Sequence, residues 1–208
     1  MFVIATDCVG GHYYAMLNAE HNHPFFWCVI PPSTMLKFVT DFKNIDFGNI
    51  MIDKSNKWNV WSSARNTFDI IIEDKYRVHY IHNKLSLGDE VPRKVGGDIH
   101  YKYAYKLTVE NYEKRLKRMI ELKEDPQFII SEHLGYGYDE KMMTILSEKT
   151  KYKLAILTNK KIVTKNPLVT IIPISNYYIT HYSNGRTQYM TNEAKSKLDV
   201  WKNKFHNL

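Results

Sequence analysis

The sequence predicts a single three-layer α/β domain over residues 1–208, with a mainly parallel sheet plus an antiparallel hairpin. Three observations carry this. Apolar runs of strand length recur at Phe2 to Ala5, Phe128 to Ser131 and Tyr152 to Leu157. Between the second and third of these lies a helical pattern at Asp139 to Thr150, so the order is β-α-β. Two further strand-like runs, Phe68 to Glu73 and Arg77 to His82, face each other across Asp74-Lys75-Tyr76 as a hairpin.

Taken in order, Phe2 to Ala5 leads into the glycine turn Thr6-Asp7-Cys8-Val9-Gly10-Gly11 and a helix over His12 to Asn18. Phe25 to Ile30 is a continuous apolar run ended by Pro31-Pro32. Ser33 there caps a helix that carries Met35, Leu36, Phe38, Val39 and Phe42. Strands follow at Asn49 to Ile52 and in the hairpin, then an aromatic strand at Asp98 to Tyr105. A long helix starts near Thr108, with Tyr112, Leu116, Met119, Ile120 and Leu122 as its apolar side, and Pro126 stops it. Leu168 to Ile174 reads as the last strand, and Glu193 to Phe205 as a terminal helix with Ala194, Leu198, Trp201 and Phe205 on one side. No repeat or linker divides the chain.

Composition narrows the class. A chain of 208 residues, 44% hydrophobic, buries roughly 70% of the surface it exposes when unfolded, so a core forms without disulfides or metal. Cys8 and Cys28 are its two cysteines, which suits a reducing, cytoplasmic compartment. No apolar run approaches the ~20 residues of a membrane helix, and the opening residues lack the basic region of a signal peptide. The net charge of +7 invites a nucleic-acid reading. The basic residues are scattered, however, and no zinc-finger or RNP signature accompanies them. Phosphorylated metabolites such as CoA or a sugar nucleotide are the better match.

The opening Ile4-Ala-Thr-Asp-Cys-Val-Gly-Gly11, followed by Tyr13, Tyr14 and Leu17, resembles the Asn/Asp-Cys-x-Gly-Gly opening of the exopolysaccharide-biosynthesis family filed as domain of unknown function 1919. Pro24-Phe25, Met35 to Phe38 and Asp41-Phe42 resemble its second strand and helix; Gly97-Asp98-Ile99, Tyr112, Arg115 and Arg118 resemble its middle. Phe128 to Ser131, Lys153 to Thr158 and Leu198 to Asn203 resemble its last third. One position departs: where the family pattern has His-Tyr at the end of the middle strand, this chain has Ala104-Tyr105. The resemblance implies work on surface polysaccharide and leaves the reaction open.

The residues themselves suggest chemistry. In open α/β sheets, ligands bind beyond the carboxyl ends of the strands, and Asp7 to Gly11 follows such an end. Gly10 and Gly11 permit close backbone approach, and a helix N-terminus lowers the pKa of a nearby thiol. Cys8 is therefore a candidate nucleophile, with the amides of Val9 to Gly11 as an oxyanion hole, His12 or His23 as base and Asp7 as its orienter. A free cysteine is more commonly a small buried hydrophobe, and Cys28, inside an apolar run, is read as one. Tyr103, in a row with Tyr101 and Tyr105, can stack on a sugar ring, and Arg115 with Arg118 can clamp a diphosphate. Glu132, Asp98, His100 and His133 stand at element ends, where acid–base groups are often placed. The histidine pairs His21/His23 and His79/His82 have metal-ligand spacing, but nothing completes a four-ligand set, so no metal is expected.

These signals point to an enzyme, a cytoplasmic transferase of surface-glycan biosynthesis. The specific expectation is an acyltransferase moving acetyl from acetyl-CoA to a sugar or amino-sugar nucleotide. A glycosyltransferase using a nucleotide sugar is the alternative, although the chain contains no Asp-x-Asp. A non-catalytic glycan or nucleic-acid binding protein is the other.

Overall fold

The computed structural model describes residues 2–6, 10, 13–14, 23–25, 28–47, 52–62, 67–74, 76–86, 110, 112–132, 137–175, 178–180 and 188–206. Strands β1 (Phe2–Ala5), β6 (Pro126–Ser131), β7 (Leu154–Thr158) and β8 (Val169–Pro173) form a wholly parallel sheet in the order β1-β6-β7-β8. A second four-stranded sheet contains β2 (Cys28–Val29), β3 (Ile52–Ser62), β4 (Thr67–Asp74) and β5 (His79–Ser86), in the order β2-β5-β4-β3. All its pairings are antiparallel, with Cys28 opposite Tyr80 and Thr67 opposite Ser86. The antiparallel strands thus make a sheet of their own instead of interrupting the parallel one. Strands β9 (Tyr178–Thr180) and β10 (Gln188–Met190) form a short antiparallel pair.

β1, β6 and β7 are buried on both faces, which is why they read as largely apolar runs. Alternation along each strand divides the core in two. Phe2, Ile4, Phe128, Ile130, Leu154 and Ile156 point into one cluster, while Val3, Ala5, Ile129, Ala155, Leu157 and Ile172 point into the other. The first cluster is closed by helices α1 (Pro32–Asp41), α2 (residues 112–122) and α3 (Glu140–Lys149), through Met35, Phe38, Leu116, Met119, Met143 and Leu146. The second is closed by Tyr13 and Tyr14 and by helix α4 (Asn192–His206), through Ala194, Leu198 and Trp201. These are the three layers.

Local chemistry sets the helix ends. Ser33 does not cap α1: Pro31 occupies the N-cap position without a side-chain bond, and Pro32 opens the helix, where its missing N–H costs nothing. The next threonine, Thr34, instead sends its hydroxyl across to the Tyr76 carbonyl. Helix α2 ends before Pro126, at residue 122, with Lys123 at φ 51° in the left-handed region common just past helix ends. Its buried stripe is Tyr112, Leu116 and Met119, whereas Ile120 and Leu122 are exposed, because at 3.6 residues per turn they fall about 80° to either side of that stripe. Asp139 caps α3 by accepting the Met142 N–H at 2.7 Å. Ahead of it, Gly137 has φ 84°, and a Cβ there would lie 3.3 Å from the Pro32 ring.

Among the described residues of the Phe25 to Ile30 run, Cys28–Val29 are strand. Phe25 donates its N–H to His23 Nδ1 at 3.1 Å, so that donor is spent in a local turn. The predicted helix over His12 to Asn18 is described only at Tyr13 and Tyr14, which are helical, as is Gly10. The predicted strand at Asp98 to Tyr105 and the cap at Thr108 lie outside the described residues.

Candidate functional site at the carboxyl ends of the parallel strands

β1 and β6 separate at their carboxyl ends. Thr6 N–H still donates to Ile129 O at 3.1 Å, as the parallel ladder requires. The next rung would join Thr6 O to Ser131 N–H. Instead Thr6 Oγ1 accepts the Ser131 N–H at 3.0 Å, and Thr6 O turns away to accept the Ile30 N–H at 3.1 Å. A side-chain hydroxyl replaces a carbonyl in the ladder. Thr6 and Ser131 are 2% and 1% exposed, so these bonds cannot be exchanged for water.

This is also where the direction of winding reverses. The chain leaves β1 through Tyr13 and Tyr14 on one face of the sheet and reaches residues 28–30, which meet the β1 edge through Ile30. It leaves β6 through Tyr138 and α3 on the opposite face and reaches β7. In open α/β sheets the usual ligand site is the crevice that forms where helices following two adjacent parallel strands leave on opposite faces.

The other edge of β1 is closed by side chains. Even-numbered residues of β1 bond to β6, so Val3 N–H faces away, and Tyr14 Oη accepts it at 2.8 Å. The same oxygen lies 2.8 Å from His23 Nε2. Phe25 N–H can only donate, so His23 Nδ1 carries a lone pair and the proton of the neutral ring sits on Nε2, directed at Tyr14. The ring is fully buried and packs against Phe2 and Tyr14 at centroid distances of 5.4 and 5.3 Å. His23 therefore offers a substrate no free lone pair. It is a buried brace for β1.

At the neighbouring strand ends, Glu132 follows β6 and Lys160 follows β7. Glu132 N–H donates to Leu157 O at 3.4 Å, placing the residue between the two strand ends. Thr158 Oγ1 accepts the Lys160 N–H at 3.0 Å and donates its own proton to Glu132 Oε2 at 2.8 Å. Lys160 Nζ lies 3.4 Å from Glu132 Oε1. At the end of β8, Ser175 donates its N–H and O–H to Glu193 Oε2, at 3.4 and 2.7 Å, and Lys197 reaches both Glu193 and the Pro173 carbonyl. These donors, Lys197 first and then Ser175, hold the Glu193 carboxyl down to about 2.

No protein-family model matches this chain, and no curated protein does either. The resemblance to the exopolysaccharide family accordingly rests on the quoted residues alone.

The remaining site expectations fall unevenly. Asp7, Cys8, Gly11, His12 and Tyr103 lie outside the described residues. Gly10 is buried and helical. Arg115 is half-buried and Arg118 exposed on α2; burial, and then the neighbouring Arg118 charge, lower the Arg115 pKa from its ordinary value. Cys28 is fully buried with its thiol directed at the Phe25 carbonyl, 3.3 Å away. Among the described residues, no group of three or more histidine, cysteine or acidic side chains is placed to hold a metal ion. No described helix is long and apolar enough to cross a membrane.

In the sequence, Glu132 shows only as an acid at an element end. Thr158 and Lys160 carry no sequence signal, because Thr-x-Lys has no distinguishing pattern until the strand register brings residue 158 beside residue 132. The one sequence signal for Thr6 is a hydroxyl just past the last residue of an apolar strand.

Proposed function

We propose that this protein is a cytoplasmic transferase of surface-glycan biosynthesis, and that it moves an acetyl group from acetyl-CoA to a sugar or amino-sugar nucleotide. The observation that carries the reading is the reversal of winding at β1, because the sequence Asp7-Cys8-Val9-Gly10 follows immediately after the strand that borders the crevice.

In this reading the Cys8 thiolate attacks the thioester carbonyl, with His12 having taken the thiol proton and Asp7 orienting His12. The C–S bond to CoA breaks, and CoA leaves as the thiol with that proton. A substrate hydroxyl or amine then attacks the acetyl-Cys8 carbonyl, gives its proton to His12, and releases Cys8, which recovers the proton as a thiol. Backbone amides at Val9 to Gly11 stabilise the oxyanion in both steps. Arg115 and Arg118 supply positive charge for the phosphates of the substrates, and Tyr103 stacks on the sugar.

The test is a thermal-shift screen against acetyl-CoA, CoA, UDP- and dTDP-sugars and short nucleic acids. A ligand at about 100 times its dissociation constant adds about 2.7 kcal/mol, enough to resolve. Stabilisation by acetyl-CoA is the expected result. Stabilisation by a nucleotide sugar without any by CoA compounds would move the assignment to glycosyl transfer, and a response to nucleic acid alone would overturn the enzyme reading.

A further inference from the structure

We propose that Glu132 and Lys160 form the subsite that binds the hydroxyl groups of the acceptor sugar, with Thr158 as the positioning residue that aims the carboxylate. This deepens the acyl-transfer reading above and rests on it for the identity of the substrate.

Thr158 Oγ1 accepts the Lys160 N–H at 3.0 Å and donates its single O–H proton to Glu132 Oε2 at 2.8 Å. The hydroxyl and the backbone that holds it are in turn fixed: Thr158 is 1% exposed, and its carbonyl accepts the Ile174 N–H at 3.1 Å. A buried, doubly bonded threonine thus orients a carboxylate that is itself partly open, the Glu132 and Lys160 side chains being 30% and 48% exposed. An exposed ion pair of this kind adds at most about 1 kcal/mol to stability. Folding alone gives little reason to aim it.

The arrangement suits a polyol. An ionised carboxylate has about four acceptor positions, and Thr158 and Lys160 engage one on each oxygen. The ammonium has three donors, of which Glu132 takes one. What is left is a set of acceptors beside a set of donors, and vicinal sugar hydroxyls, each both donor and acceptor, match that set. A phosphate does not, since the Glu132 charge repels it. The subsite therefore takes the uncharged ring, and the phosphates of the substrate lie elsewhere. Its place also fits, because Glu132 directly follows Ser131, which bonds Thr6 at the end of β1.

The experiment uses the whole protein and two probes, N-acetylglucosamine with glucose as the sugar probe and acetyl-CoA as the donor probe, read by saturation-transfer NMR and calorimetry. Glu132→Gln and Lys160→Met are each expected to weaken sugar binding by at least about tenfold, the scale of a hydrogen bond to a charged group. Acetyl-CoA binding is expected to stay unchanged. Thr158→Val keeps both charges and removes the aiming proton together with the acceptor of the Lys160 N–H; a loss of sugar affinity smaller than that of Glu132→Gln, with acetyl-CoA binding unchanged, supports positioning. Sugar bound equally by wild type and all three variants overturns the subsite, as does a wild type that binds acetyl-CoA but neither sugar. Failure of acetyl-CoA to bind, with sugar binding still dependent on Glu132, overturns the acyl-transfer reading and leaves the subsite standing.

Discussion

Thr6 Oγ1 accepts the Ser131 N–H at 3.0 Å in the position where the Thr6 carbonyl would complete the parallel ladder. That substitution of hydroxyl for carbonyl lets β1 turn its last carbonyl to Ile30 while Thr6 stays tied to β6. Thr6→Val, nearly the same shape, leaves a buried N–H without an acceptor and is expected to cost about 1–3 kcal/mol. Thr6→Ser, which keeps the oxygen, costs less. Urea unfolding of the two variants measures the difference, and equal stabilities would show that the ladder closes without the hydroxyl.

Tyr14 carries a second such bond. Its hydroxyl serves Val3 N–H and His23 Nε2 together, each at 2.8 Å. Tyr14→Phe removes the oxygen that both groups meet and is expected to destabilise the fold by about 1–3 kcal/mol. Hydrogen exchange at the Val3 amide provides the local readout: it should accelerate in the variant more than exchange at Ile129, which lies on the β6 side of the sheet.

The Glu193 tie makes stability depend on pH. Its folded carboxyl titrates at about 2, below the ordinary 4.5, because Lys197 and Ser175 donate to the ionised form. A depressed carboxyl contributes stability above its unfolded value, and that contribution is lost as pH falls toward the folded one. The melting temperatures of wild type and Glu193→Gln are therefore expected to differ at neutral pH and to converge between about pH 4.5 and pH 2. High salt should shrink the difference, since the group is exposed. A gap that does not change over that range would assign the tie no role.

The fold was legible where one physical signal dominated. β6, β7 and α3 stand within two residues of their predicted bounds, because strands buried on both faces and a helix capped by Asp139 leave unambiguous patterns. α4 was legible from its Ala194, Leu198 and Trp201 stripe. β3 was not. Asp53 to Lys57 is uniformly polar, and the strand exists because it pairs with β4 across a register shift between Asp53 and Trp58, a contact absent from local sequence. β9 and β10 escaped for the same reason, three residues each being too short to show alternation. At the site, the strand-end position of Asp7 and Cys8 was legible from the glycine turn. The burial of His23 was not, since a histidine before a proline looks the same whether it faces a crevice or braces a strand.

The most direct test of the account is the chemistry of Cys8. The protein is incubated with acetyl-CoA, quenched in acid and digested, and the site of acetylation is mapped by mass spectrometry, beside Cys8→Ala and His12→Ala. The expected result is a thioester on Cys8 that disappears when a sugar or amino-sugar acceptor is added, is absent in Cys8→Ala, and forms more slowly in His12→Ala, with all three proteins equally folded by circular dichroism. Acetyl transfer to the acceptor at an undiminished rate in Cys8→Ala, or a wild-type Cys8 that stays unmodified while acetyl-CoA is bound, would contradict it.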